Sequence, residues 1–184
     1  PPIMAILLKP FMDSPPMVGA VLWFACKALF ALVSILCVLA LLDSPDRPFP
    51  IWGKLVAVGL SLRPIAGDLT HGNVNLLILI LIVLSMLATA HRHNVLAGAL
   101  IGLGIACKIT PALFVLYFLW HRSWNALLGV AASLVVFVLL LPAVVFGWSN
   151  NLAYLQSWHH QMVAPFAAGV VSSEHKNQSL PGLL

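Results

Sequence analysis

Three long apolar segments, more than any other feature of the sequence, constrain what this chain folds into. They are Met17–Leu42, Gly72–Ala90 and Trp124–Gly147, and together they contain one charged residue, Lys27. Each is close to the roughly 20 residues that a helix needs to cross a bilayer. With 61% apolar and 8% charged residues, the chain has too few polar side chains to cover a soluble domain. The sequence therefore predicts an all-α, polytopic transmembrane helix bundle.

Two further apolar segments are shorter or interrupted. Ile51–Leu62 has about three turns and is predicted as a short spanning helix. Val95–Trp120 is broken by Lys108–Pro111, so it forms either one kinked helix or a hairpin of helices 95–107 and 111–120. Basic residues flank it on both sides, and cytoplasmic loops collect Lys and Arg. This rule favours the hairpin, which brings both basic clusters to the same side.

The hairpin gives a consistent map of the two sides of the membrane. The segments predicted to be cytoplasmic are Asp43–Pro50, His91–Asn94 and His121–Ser123. Those predicted on the opposite side are Pro1–Pro16, Arg63–His71, Lys108–Pro111 and an outer loop, Trp148–Leu184. The map predicts a multi-pass protein of a bacterial inner membrane with its active face on the non-cytoplasmic side. Lys27, deep in an apolar segment, is predicted to form an internal polar pair.

Several function classes are disfavoured by the sequence. The nine Lys and Arg residues are scattered singly, so no nucleic-acid partner is predicted. The three cysteines lie in apolar segments without the spacing of a metal or disulfide framework. His159 and His160 are adjacent and cannot both face one metal from a helix. We therefore predict no metal site and no cofactor.

The chain opens on Pro1-Pro2 without a Met, and we expect a single domain, 1–184, that is a fragment of a larger protein.

A polar segment precedes the second long apolar run and supplies the first candidate site residues, Asp68, His71, Asn73 and Asn75. If Asp68 and His71 are both helical, their spacing places them on one face. The start of a helix offers free N–H groups to an anionic or hydroxyl-rich ligand. The alternative for Asn73 is that it caps the next helix. Asn75 lies inside the apolar run, where its amide needs an internal partner.

The Lys108-Ile109-Thr110-Pro111 turn supplies the second group. Lys108 and Thr110 suit a phosphate, which would neutralise the lysine and accept hydrogen bonds from the hydroxyl. Pro111 is typical of the first turn of a helix, and Gly98, Gly102 and Gly104 before the turn predict close helix packing. The alternative is a lysine that extends from a helix end towards the membrane surface.

The third group lies in the C-terminal segment, at Asn177, Gln178 and Ser179. This segment also carries Trp and Tyr residues at 148, 154 and 158. Aromatic planes with neighbouring amides are typical of sugar sites. The alternative is an aromatic belt at the membrane interface.

The order of four motifs resembles glycosyltransferase family 87, bacterial membrane enzymes of the GT-C type. The motifs are Pro1-Pro2 before an apolar stretch, His71-Gly72-Asn73-Val74-Asn75, Leu96-Ala97-Gly98 leading to Lys108-Ile109-Thr110-Pro111, and Asn177-Gln178-Ser179-Leu180. The family pattern has Gly-Gln-Val-Asn where this chain has Gly72-Asn73-Val74-Asn75, an exchange of one amide for another.

The resemblance implies an inverting hexosyltransferase that moves a sugar, typically mannose, from a polyprenyl-phosphate donor to a lipid-linked or glycan acceptor. Together with the residue chemistry above, it leads to the hypothesis that Lys108 and Thr110 bind the donor phosphate. A second hypothesis is that Asn75, with Asn177 and Gln178, orients donor or acceptor hydroxyls, and the remaining candidate substrate-binding residues are Asp68, His71, Asn73 and Ser179. The base of such enzymes is an aspartate in the first outer loop, which the resemblance places before Pro1 rather than at Asp13 or Asp68. Two alternatives remain: a transporter or flippase, which also has broken helices around polar residues, and an inactive membrane scaffold.

Overall fold

The computed structural model describes residues 1–43 and 48–164, and every regular element in these ranges is helical, which confirms the all-α prediction. We number the helices α1 to α8. Their bounds are α1 Pro2–Met12, α2 Pro16–Leu42, α3 Ile51–Leu69, α4 Asn75–Ala90, α5 Asn94–Cys107, α6 Thr110–Trp120, α7 Trp124–Phe146 and α8 Trp148–Trp158.

Helices α2 and α7 are both long enough and apolar enough to cross a membrane. Most of their length is not covered by other parts of the structure. α2, for example, exposes Leu22, Phe24, Leu29 and Leu36. Such a continuous apolar surface is unfavourable in water and favourable in lipid. The fold is therefore that of a membrane protein.

Helices α5 and α7 form the tightest packing in the structure because glycines face backbone between them. A Cβ atom added to Gly98 would lie 1.8 Å from the carbonyl oxygen of Ala126. One added to Gly102 would lie 2.8 Å from the carbonyl oxygen of Val130. The close packing predicted from these glycines is confirmed. Contacts advance in the same direction along both helices, so α5 and α7 run parallel.

Two helices, α5 and α6, occupy the interrupted segment between residues 94 and 120. α5 ends where Lys108 adopts an extended backbone, and Pro111 lies in the first turn of α6, as predicted. α6 then returns along the bundle, because Asn94 at the start of α5 and Arg122 after α6 line the same small cavity. Both ends of this pair therefore lie at one end of the bundle, opposite the Lys108 turn.

Two predicted helix boundaries and one predicted loop were wrong, and one further helix, α1, was not predicted. α3 continues to Leu69, past the predicted end at Leu62, because Pro64 and the polar residues after it are accommodated within the helix. α4 begins at Asn75 rather than Gly72. Pro2–Met12 is helical because it packs against the bundle through Ile3, which is 1% exposed. Trp148–Trp158, predicted to be loop, is helical because Asn151 is buried against α7.

Candidate functional site

The candidate site is organised around Lys27, whose side chain is 1% exposed in the middle of α2. Its ammonium donates to the carbonyl oxygens of Asp68 and His71, the second at 2.7 Å, and to Oδ1 of Asn73 at 3.2 Å. The Asp68 carboxylate lies 3.1 Å away. The internal pair predicted for Lys27 is therefore confirmed, with Asp68 as its partner. All the acceptors belong to the end of α3 and the segment that connects it to α4.

A chain of side chains leads from this pair to the turn between α5 and α6. Nδ2 of Asn75 donates to Oδ1 of Asp68 at 2.8 Å. Oδ1 of Asn75 in turn accepts a hydrogen bond from Nζ of Lys108 at 2.7 Å. Asn75 thus connects the carboxylate of Asp68 to the ammonium of Lys108, 40 residues later in the sequence. The prediction that its amide has partners within the protein is confirmed. Its amide orientation is fixed because one partner can only accept and the other can only donate.

Lys108 is the exposed end of this chain. An ammonium has three N–H groups, and Asn75 takes one of them. Among the described residues, the structure gives Lys108 no carboxylate partner. Its positive charge therefore remains available to an anion, whereas the charge of Lys27 is neutralised within the bundle by the carboxylate of Asp68. We name the connected residues Lys27, Asp68, Asn73, Asn75 and Lys108 the polar relay.

The polar relay lies deep along α2. Lys27 follows Pro16 by three turns of helix, which at 1.5 Å per residue places it about 16 Å from the start of α2. The α3–α4 connection reaches this depth, and Lys108 joins it from the α5–α6 turn. α1 packs beside both, since Ile3 contacts the cluster formed by Ile78, Ala106 and Cys107. The relay therefore sits in a recess within the apolar length of α2.

An open groove of about 420 Å³ runs between α2, α3 and α4 and begins at the relay. Asp68 and Asn75 form its polar end. The rest of its lining is mainly apolar and includes Val38, Leu42, Leu79 and Val83. The groove joins one charged, hydrogen-bonded end to a long hydrocarbon surface, which suits an amphipathic ligand with an extended tail.

The other predicted site residues lie at different places. His71 is exposed, lies outside the helices, and places Nδ1 2.6 Å from the carbonyl oxygen of Gly67. The condition for Asp68 and His71 to share a helical face is therefore not met, because α3 ends between them. Thr110 is exposed at the start of α6, two residues after Lys108.

Asn73 does not cap α4. The helix has Val74 at its N-cap without a side-chain hydrogen bond, and the amide oxygen of Asn73 turns instead to Lys27. Asn177, Gln178 and Ser179 lie outside the described residues.

The central role of Lys27 was missed when the site residues were predicted. A single lysine in an apolar helix indicates an internal partner, but it does not identify which acid supplies it. Asp13 and Asp68 both lie four residues before an apolar run on the same predicted side, so the sequence did not decide between them. Asp68 and Asp13, neither of which was assigned as the base, are both engaged: Asp68 by Lys27 and Asn75, and Asp13 by Lys9 at 2.8 Å on the surface.

Comparison with known proteins connects this arrangement to a family. The model of glycosyltransferase family 87 matches residues 1–184. The chain belongs to glycosyltransferase family 87. The resemblance predicted from the four motifs is therefore confirmed, and the polar relay contains two of those motifs, the segment around Asn75 and the turn at Lys108.

Relatives of this family 87 chain include two mycobacterial enzymes. It is 29% identical over 174 residues to the polyprenol-phosphate-mannose-dependent alpha-(1-2)-phosphatidylinositol mannoside mannosyltransferase of Mycobacterium tuberculosis, covering 88% of this chain and 39% of that protein. It is 35% identical over 139 residues to the corresponding pentamannoside mannosyltransferase of Mycolicibacterium smegmatis, covering 74% of this chain and 32% of that protein.

The chain therefore spans less than half the length of the relatives that it matches. No solved structure matches it. The family membership, together with the two apolar helices, supports the membrane setting of the polar relay.

Proposed function

We propose that this chain is part of an inverting membrane hexosyltransferase that transfers mannose from a polyprenyl-phosphate donor to a lipid-linked or glycan acceptor. The observation that carries the proposal is the hydrogen bond from Lys108 to Asn75 at the mouth of an apolar groove. It presents an ammonium group, held in place by an amide, next to a surface for a hydrocarbon chain. A phosphate ester of a long isoprenoid has these two parts in the same order.

The chemistry requires a positive charge at the leaving group. In the proposed reaction an acceptor hydroxyl attacks the anomeric carbon while the bond from that carbon to the phosphate oxygen breaks. The hydroxyl proton goes to a carboxylate base, and the polyprenyl phosphate departs with one more negative charge than it had as a diester. Lys108 stabilises that developing charge, and the hydroxyl of Thr110 at the same turn adds a donor.

Asp68 supports the site without serving as the base. One of its oxygens accepts from Asn75 and the other faces the Lys27 ammonium. A carboxylate paired in this way is a poor proton acceptor, because protonation would leave Lys27 without its counter-charge. We propose instead that Asp68 orients Asn75. His71 and Asn73, with Asn177, Gln178 and Ser179, are proposed to contact sugar hydroxyls.

The finer membrane arrangement is also a proposal. We propose a polytopic GT-C-type bundle in a bacterial inner membrane with the relay on the non-cytoplasmic side. The support is the position of the basic turns around Arg92 and Arg122, which lie at the opposite end of the bundle from Lys108 and follow the rule that cytoplasmic loops carry positive charge.

The experiment is a transfer assay on purified full-length protein with radiolabelled polyprenyl-phosphate mannose and membrane lipid as acceptor. Lys108→Ala is expected to lower turnover by at least about 100-fold, since a charge-assisted contact in the transition state is lost. Lys54→Ala is the matched control. Lys54 pairs with Asp43 at the other end of α3, and its loss is expected to change turnover less than about twofold.

The alternatives give different results when transfer and lipid movement are measured together on protein reconstituted in vesicles. A flippase would move the labelled lipid across reconstituted vesicles without forming a glycosylated product. An inactive scaffold would do neither. Normal turnover by Lys108→Ala, with wild-type membrane insertion, would overturn the assignment of Lys108.

A further inference from the structure

We infer that Lys27 is a positioning residue of the transferase: it holds the α3–α4 connection at the depth of Lys108, so that Asp68 and Asn75 orient Lys108 for the donor phosphate. The inference rests on the proposed function and extends it to a residue that touches no substrate. It assigns Lys27 a role in affinity for an anion that binds at the other end of the relay.

The geometry around Lys27 is that of a built polar site. The side chain is 1% exposed, and its ammonium faces two backbone carbonyls, one amide oxygen and one carboxylate. A buried ammonium costs several kcal/mol unless such partners surround it. Because replacing both members of such a buried pair by apolar residues is often neutral or stabilising, stability alone gives no reason for an ion pair here. The four acceptors indicate that the lysine fixes the segment that carries them.

That segment needs fixing because few other contacts hold it. Gly67 and Gly72 have no neighbouring atoms within 4 Å of an added Cβ position, and Thr70 and His71 are exposed. α3 packs loosely enough to leave the groove along its length. Lys27 therefore provides the polar anchor between this segment and α2, and through Asp68 it sets the position of Asn75.

The relay has a direction that can be tested. Lys27 contacts Asp68, Asp68 contacts Asn75, and Asn75 is the one member of the relay that contacts Lys108 in the described part of the chain. If Lys27 acts on the donor through this chain, its removal has an effect only while Lys108 is present. If Lys27 merely stabilises the fold, its removal affects binding by the same factor with or without Lys108. A double-mutant cycle separates the two cases.

The experiment uses full-length protein in detergent and measures the dissociation constant for a polyprenyl phosphate, together with kcat and KM for polyprenyl-phosphate mannose. Lys27→Met replaces the ammonium with an apolar group of similar length. We expect it to weaken polyprenyl-phosphate binding about tenfold, the scale of one displaced charge-assisted hydrogen bond. Leu29→Met is the matched control. It introduces the same side chain on the exposed face of α2 and is expected to leave binding unchanged.

The cycle is completed with Lys108→Met alone and in combination with Lys27→Met. We expect the double variant to bind no more weakly than Lys108→Met, and the KM of Lys27→Met to rise while Lys108 is present. The melting temperature is expected to fall by the same amount in both backgrounds, because the Asp68 carboxylate and two backbone carbonyls lose their donor. Equal tenfold losses in both backgrounds would overturn the inference. If Lys27→Met does not fold, Lys27→Gln, which retains an N–H donor without the charge, carries the same cycle.

The inference and the proposed function fail in distinguishable ways. If wild-type protein neither binds polyprenyl phosphate nor transfers mannose, the proposed function is wrong. If wild-type protein does both and Lys27→Met or Lys27→Gln does so equally well, only the role of Lys27 is wrong.

Discussion

The buried amide of Asn151 on α8 donates hydrogen bonds to backbone carbonyls of α7 near a proline. Pro142 in α7 has no N–H group, so the carbonyl of Val138, four residues earlier, lacks its α-helical donor. The helix there widens into a short π-helical stretch, Val135–Leu140. Asn151 on α8 is 1% exposed and donates from Nδ2 to the carbonyl oxygens of Val138 and Leu139, each at 3.2 Å. A side chain from the next helix thus satisfies backbone that a proline left without a partner.

We predict that Asn151→Leu lowers stability by about 1 kcal/mol, because the half-buried carbonyl of Val138, which Pro142 cannot serve, loses its side-chain donor. Part of that loss is offset because the buried Oδ1 of Asn151, which has no hydrogen-bond partner among the described residues, is removed as well. Asn150→Leu is the control. Asn150 is exposed and donates to the carbonyl oxygen of Phe146 from the surface, so its loss is expected to cost less than about 0.5 kcal/mol. Thermal unfolding of both variants in the same detergent makes the comparison. Equal midpoints for the two variants would contradict this account.

At the scale of single residues, the sequence predicted which side chains need a polar partner but not which residues supply it. It indicated that Lys27 must be paired and that Asn75 needs an internal contact, because both lie in apolar runs. It did not predict that Asp68 serves both, since the pairing depends on how α2, α3 and α4 are placed in space. Asn73 was assigned a capping alternative from local pattern alone, and the tertiary contact with Lys27 replaced it.

At the scale of helices, the contact between α5 and α7 depends on the absence of side chains. Gly98 and Gly129 bring backbone against backbone, and a Cβ atom added to Gly129 would lie 2.1 Å from the carbonyl oxygen of Val95. Hydroxyl groups reinforce the contact, since Ser133 donates to the carbonyl oxygen of Ala99 at 2.7 Å. Both helices lead to the site end of the bundle, so their spacing sets where the Lys108 turn lies.

We predict that Gly98→Ala destabilises the protein by about 1–3 kcal/mol, because the new methyl group meets the Ala126 carbonyl and the two backbones must separate. Gly59→Ala is the matched control. Gly59 lies in α3 with no atom within 4 Å of an added Cβ, and alanine there is expected to be neutral or to stabilise by up to about 1 kcal/mol. Unfolding midpoints measured for both variants test the difference. A stable Gly98→Ala protein would show that the helices do not depend on this contact.

The apolar runs predicted the central parts of the helices well and the residues at which the helices begin and end less well. The main apolar runs became α2, α4 and α7 with small shifts at their ends. α1 and α8 were missed because their sequences carry proline or amides, and their helices depend on packing against the rest of the bundle. α3 was predicted to end with its apolar run at Leu62, yet the helix continues through Pro64, as helices in apolar surroundings often do.

At the scale of the whole molecule, the helix lengths bring the polar residues to one depth. α5 and α6 are shorter than α2 and α7, and their shared turn ends at the polar relay rather than at the surface. The turns around His91 and His121 lie together at the other end, where Asn94 and Asn125 line the cavity between them. A single kinked helix would instead separate these two turns by the whole bundle.

Thiol labelling in intact cells and inverted vesicles tests this arrangement, starting from a variant without Cys26, Cys37 and Cys107. We predict that His91→Cys and His121→Cys react with a membrane-impermeant maleimide from the cytoplasmic side only, and that Asp13→Cys, in the exposed turn between α1 and α2, reacts from the opposite side only.

Thr110→Cys places a thiol in the recess beside Lys108. It is expected to react from the same side as Asp13→Cys but more slowly, because the relay lies about 16 Å along α2 from its start. A permeant maleimide should label all four variants and controls for expression. Reaction of His91→Cys and His121→Cys from opposite sides would contradict the returning path of α6. Reaction of Thr110→Cys from the cytoplasmic side would place the proposed phosphate site on the wrong face for the transferase.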